Sequence, residues 1–99
     1  MLKKINTVEE FNNTIKTGTW LVDFNAKWCG PCRMLEPIIV DVSKNNNVIS
    51  VDIDEAEELT EKYGIMSVPS LLVFKNGSLA SREVGYMPKE EIVRLLNDK

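Results

Sequence analysis

Two short and nearly continuous apolar runs, Trp20-Leu21-Val22-Asp23-Phe24 and Leu71-Leu72-Val73-Phe74, constrain the fold most. A strand of this composition has no wet face, so it must be covered on both sides, and helices are the usual cover for parallel strands. The flanking segments supply that cover. Thr7 and Glu10 form a capping box before Val8, Phe11 and Ile15, which recur at helical spacing until Gly18. Met34, Leu35, Ile38, Ile39 and Val42 mark a second amphipathic helix that runs to Asn45-Asn46-Asn47, with Pro37 inside it as an expected kink. Asp54 to Tyr63 reads as a short acidic helix ended by Gly64. Pro88, Glu90 and Glu91 open a last helix with Ile92, Leu95 and Leu96 on its apolar face.

Lys3 to Ile5 and Val48 to Ile53 add strands, and Asn76-Gly77 between apolar runs signals a hairpin from Leu71–Phe74 into Leu79–Val84. The order is strand, helix, strand, helix, strand, helix, hairpin, helix. Right-handed crossovers make the first strands parallel and the hairpin adds an antiparallel pair. The fold class is therefore α/β, a mixed central β-sheet sandwiched by α-helices, in a single domain spanning 1–99.

The chain has 99 residues, 43% of them hydrophobic, and a net charge of −3 spread along its length. That distribution is unlike the basic footprint of a nucleic-acid binder. No apolar stretch approaches a membrane span, and the first residues lack the apolar core of a signal peptide. A cytoplasmic monomer with no nucleic-acid or membrane partner is the expectation.

Trp28-Cys29-Gly30-Pro31-Cys32 holds both cysteines. A disulfide closing so small a ring contributes only about 2 kcal/mol through chain entropy, which makes a purely structural role a weak explanation. Cysteines three apart at a helix start share one face, within the separation a disulfide tolerates. Pro31 suits a first helical turn, and Gly30 allows close approach. The helix N-terminus, with Lys27 and Arg33 nearby, stabilises a thiolate on Cys29, the expected nucleophile. Cys32, one turn in and expected to lie deeper, fits the resolving role. A structural zinc site needs four ligands, and two cysteines without a histidine cannot supply them in one chain, so no metal is expected.

Asp23 interrupts an apolar run. If buried, its pKa rises above the ordinary carboxylate range and it becomes the best-placed proton acceptor for Cys32 in a chain without histidine; at an exposed strand end it would be an ordinary acid. The apolar neighbours favour burial.

Leu21-Val22-Asp23-Phe24, Trp28-Cys29-Gly30-Pro31-Cys32, Tyr63-Gly64-Ile65, Val68-Pro69-Ser70, Phe74-Lys75-Asn76-Gly77 and Val84-Gly85 together resemble the thioredoxin family over nearly the whole chain. The resemblance implies a thioredoxin-like fold with four or five strands and a general protein-disulfide reductase that carries electrons for cell redox homeostasis. It implies no bound cofactor beyond the redox-active disulfide of Cys29 and Cys32. The partners it implies are protein disulfide substrates and a separate thioredoxin reductase, which alone uses NADPH and FAD. It also implies that Pro69 is the family's cis-proline, that substrate backbone pairs with Val68, and that Trp28, Gly30, Pro31, Gly85 and Tyr86 belong to the contact surface. Read without the resemblance, Pro69 would be a trans proline opening a strand and Gly85 merely a bend.

Two positions depart from the family pattern. Asn25 stands where many members carry a second tryptophan, and Ser50 where many carry a lysine near the buried acid. Loss of the lysine raises the expected Asp23 pKa further. A non-catalytic docking module on the same fold is the alternative function. It accounts for an apolar rim around Trp28 and Pro31 but leaves the two cysteines unexplained.

Overall fold

A computed structural model describes residues 1–98. Its elements in chain order are β1 (Leu2–Lys4), α1 (Val8–Ile15), β2 (Thr19–Asn25), α2 (Gly30–Ser43), β3 (Asn47–Asp52), α3 (Glu57–Lys62), β4 (Ser70–Lys75), β5 (Ser78–Val84) and α4 (Lys89–Asn97). The five strands form one sheet in the order β1-β3-β2-β4-β5. β3 pairs parallel with both β1 and β2, whereas β4 runs antiparallel to β2 and to β5.

β2 is central because its residues can be buried on both faces. Strand alternation sends Trp20, Val22 and Phe24 into one apolar layer, with Ile49, Val51, Leu72 and Phe74 beside them and Phe11, Ile15 and Leu59 from α1 and α3 above. Leu21, Val48, Leu71 and Val73 enter the other layer and meet Leu35, Ile39 and Val42 of α2 and Ile92 and Leu96 of α4. Full burial of a side chain of this size stabilises the fold by roughly 1.5–3 kcal/mol, so the two layers dominate stability.

Local signals behave as their chemistry requires. The Thr7 hydroxyl accepts the Glu10 N–H at 3.3 Å and caps α1. Asn76 and Gly77 take φ values of 51° and 88°, two consecutive left-handed residues that turn β4 into β5.

Two expectations need correcting. α3 starts at Glu57, not Asp54, because the Asp52 carboxylate accepts the Asp54 N–H at 2.8 Å and the Asp52 carbonyl accepts from Glu55 and Ala56, tying this stretch into a turn. Met34 is 69% exposed, so the apolar stripe of α2 is carried by Leu35, Ile39 and Val42 with Ile38 at its margin.

Candidate active site

β2 ends at Asn25, and the Cys29 N–H donates to the Ala26 carbonyl at 3.2 Å, closing a tight turn into α2. Cys29 is the N-cap of that helix, in extended geometry, and Pro31 occupies its first turn. There the missing proline N–H has no partner to lose. The Cys32 N–H points back and donates to Cys29 Sγ at 3.2 Å. A backbone donor of this kind, at the positive end of a helix dipole, is the environment that stabilises a thiolate.

Cys29 and Cys32 form a disulfide with their Cα atoms 5.2 Å apart. The pair sits in a small apolar cluster with Ala26, against which Ile53 and Val68 pack. The sequence places Cys32 deeper than Cys29, but the two are shielded equally, at 6% and 5% exposure, because Ile53 and Val68 cover the whole cluster. What separates the sulfurs is hydrogen bonding, since Cys29 Sγ is the one that receives the helix N–H. Among Lys27 and Arg33, Lys27 is engaged with Glu55 at 3.6 Å on the surface.

The Val68–Pro69 bond is cis. The Val68 carbonyl lies 3.6 Å from Cys29 Sγ, which has no hydrogen to donate while oxidised and gains one as a thiol. The Pro69 carbonyl accepts the Gly85 N–H at 2.8 Å, and Gly85 has φ of 99°, a left-handed geometry that a side chain resists. Gly30 and Pro31 are exposed beside the cysteines. Trp28, 68% exposed, donates its indole N–H to Asp54 Oδ2 at 2.9 Å. Trp28, Pro31, Val68, Pro69 and Gly85 thus flank the disulfide or are joined to a residue that does. Tyr86, next along the chain, is about half exposed.

Behind the disulfide lies Asp23, 4% exposed. Burial pushes its pKa up to about 6; the Asn25 hydrogen bond opposes that rise and the Glu36 charge adds to it. Asp23 and Cys32 both line a cavity of about 350 Å³, roomy and polar enough for water.

Glu36 and Asp54 are site residues that sequence reasoning did not place. For Asn25 and Ser50, noted as departures from the family pattern near Asp23, it did not place the hydrogen bonds that join them to each other and to the carboxyl. For Asn25 and Ser50 a signal existed. Asn25 is two residues after Asp23 on one strand and therefore on its face, and in the parallel register Ser50 stands opposite Asp23. No comparable signal joins Trp28 to Asp54 across a loop. Among the described residues no group of three or more His, Cys, Asp and Glu is placed to hold a metal ion, and no helix is long and apolar enough to cross a membrane.

Comparison with known proteins agrees with this geometry. The family described as Thioredoxin matches residues 3–98. The chain is similar to thioredoxin from Chlamydia caviae, with 39% identity over 95% of each chain. It is also similar to thioredoxin from Bacillus subtilis, with 38% identity over 92% of this chain and 91% of that one. A solved mutant thioredoxin from Halobacterium salinarum superposes with a TM-score of 0.90 at 31% identity, over 96% of this chain and 87% of that one.

Proposed function

Because the chain belongs to the thioredoxin family and is a protein-disulfide oxidoreductase working through a redox-active Cys29/Cys32 pair, we propose that it acts as a general reductant of protein disulfides. The observation that carries this reading is the disulfide at the N-terminus of α2 with a buried carboxyl behind it on the same cavity.

In the proposed cycle the reduced protein presents a Cys29 thiolate, held by the Cys32 N–H and the helix end. It attacks one sulfur of a substrate disulfide, forming a Cys29–substrate bond and expelling the other substrate sulfur as a thiolate, which takes a proton from the medium. Cys32 then gives its proton to Asp23 and attacks Cys29 Sγ. The Cys29–substrate bond breaks, its electron pair leaves on the second substrate sulfur, and that sulfur is protonated. Two electrons have moved from the protein dithiol to the substrate, and the internal disulfide is the oxidised product. Asp23 serves this step because an acid with a pKa of about 6 is ionised near neutrality and still basic enough to hold a thiol proton briefly.

Trp28, Gly30, Pro31, Val68, Pro69 and Gly85 form the surface on which substrate backbone lies, with Val68 as its pairing partner. Electrons return from thioredoxin reductase, a separate NADPH-dependent flavoprotein that brings its own FAD, so this chain carries electrons without a bound cofactor. A cytoplasmic monomer fits the function. The redox pair leaves the docking-module reading without an observation of its own.

Insulin reduction coupled to a recycling reductase tests the proposal. Cys29→Ser is expected to lower turnover by about 1,000-fold, since the remaining Cys32 thiol lacks the helix N–H that stabilises a thiolate on Cys29. Cys32→Ser is expected to accumulate a substrate mixed disulfide on Cys29. Normal turnover by Cys29→Ser would refute the proposal.

A further inference from the structure

The Asp23 carboxyl is held asymmetrically. The Asn25 side-chain amide donates to Asp23 Oδ2 at 3.2 Å, to the Asp23 carbonyl at 3.1 Å and to Ser50 Oγ at 2.9 Å. Asp23 Oδ1 is buried and has no hydrogen-bond partner among the described residues. The orientation of the amide follows from its surroundings, because a flipped Asn25 would set its own oxygen against two acceptor-only oxygens of Asp23. An amide NH₂ has two hydrogens, so the three acceptors share them, and Ser50 and Asp23 compete for the same donor.

We propose that Asn25 is a positioning residue for the Cys32 proton: by binding Oδ2 and bridging to Ser50 on the neighbouring strand, it fixes the Asp23 carboxyl so that Oδ1 is the favoured acceptor of the proton. This rests on the reading of Asp23 as proton acceptor and adds to it the device that orients the acid. Oδ2 already accepts one hydrogen bond, which draws electron density from it and lowers its proton affinity, whereas Oδ1 is buried with no donor to lower its own. A neutral donor thus occupies the place where many relatives have apolar packing, beside a serine that replaces a cation.

The charged groups lining the same cavity are Lys4 from β1, Lys27 before α2, Arg33 and Glu36 from α2, Asp52 at the end of β3, and Glu55 after it. β4, opposite Asp23 on its other side, contributes Leu71 and no charge. Of the charged groups, Glu36 is the one whose charge opposes ionisation of Asp23, and Asn25 is the side chain that favours it. Removing the donor should therefore raise the Asp23 pKa, and removing its competitor should lower it.

The test is the pH dependence of Cys32 attack on a trapped Cys29–substrate disulfide, followed in stopped flow, with Asp23 titrated directly by carbon NMR in the folded protein. Asn25→Leu is expected to move the inflection upward by roughly 1 pH unit, from about 6. Ser50→Ala frees the shared hydrogen for Asp23 and is expected to move it downward. An unmoved inflection in Asn25→Leu, or a shift of the same sign in both variants, would overturn the positioning role. Asp23→Asn separates the two levels. If it abolishes the inflection while Asn25→Leu leaves the wild-type value, only the positioning role fails; if the inflection survives Asp23→Asn, Asp23 is not the acceptor and both readings fall.

Discussion

On the α1/α3 side of the sheet, β2 and β3 present Trp20, Val22, Phe24, Ile49 and Val51, all buried among apolar partners. On the α2/α4 side the same two strands present Leu21 and Val48, then Asp23, Asn25 and Ser50. The backbone is shared, so the contrast lies in what each face does with burial. One face uses it for cohesion. The other buries a carboxyl at the end nearest the cysteines, where the cost of desolvation becomes a proton affinity suited to neutral pH.

The contrast breaks most visibly at Phe11. Its ring is fully buried and lies 5.4 Å from Tyr63 and 5.5 Å from Phe74 between centroids. Phe11→Ala is expected to cost about 3–5 kcal/mol, a large part of the stability of a domain this size. Urea denaturation measures that loss, while insulin reduction per folded molecule should stay near wild type. A comparable fall in activity per folded molecule would show that the two faces are not separable.

Asp23→Asn should act in the opposite direction on stability. With a folded pKa of about 6 against an ordinary value of 3.8, the native state binds the proton more tightly than the unfolded chain. Stability associated with this group is fully present below about pH 3.8 and is lost as pH rises through about 6. The Asn variant should therefore be more stable than wild type by up to about 3 kcal/mol at pH 7.5 and by almost nothing at pH 3.5, read from urea midpoints at each pH. An equal gain at both pH values would mean that packing, not ionisation, sets the difference. Opposite signs for Phe11→Ala and Asp23→Asn are the sharpest statement of what the two faces are for.

Much of this was legible in the sequence because it depends on short-range pattern. The apolar runs around Leu21 and Leu72, the Thr7 cap, the Asn76-Gly77 turn and the cysteine pair at a helix start are all local. Asp23 could be singled out for the same reason, as one polar residue in an apolar run. The partners of Asp23 were harder. Asn25 and Ser50 looked like losses relative to the family pattern, and only the register of β2 on β3 shows them meeting at one carboxyl. Equal shielding of the two sulfurs was not legible, since it depends on Ile53 and Val68 arriving from distant parts of the chain. Trp28 on Asp54 is the same kind of case.

Gly85 is where scaffold and site meet, and it separates them at the smallest scale. Its N–H holds the Pro69 carbonyl, yet a Cβ built there would meet nothing within 4 Å. Gly85→Ala therefore introduces no clash, only the backbone penalty of φ near 99°, expected to cost about 1–2 kcal/mol. If Gly85 is merely a bend, that loss appears in urea denaturation and the kinetics stay unchanged. If it supports the substrate surface through Pro69, the side chain also intrudes where substrate backbone lies, and KM for insulin rises several-fold while the rate of Cys32 attack on a preformed mixed disulfide does not move. The second pattern is the expected one, because the residue joined to Gly85 is Pro69 and the carbonyl before it is the one 3.6 Å from Cys29 Sγ.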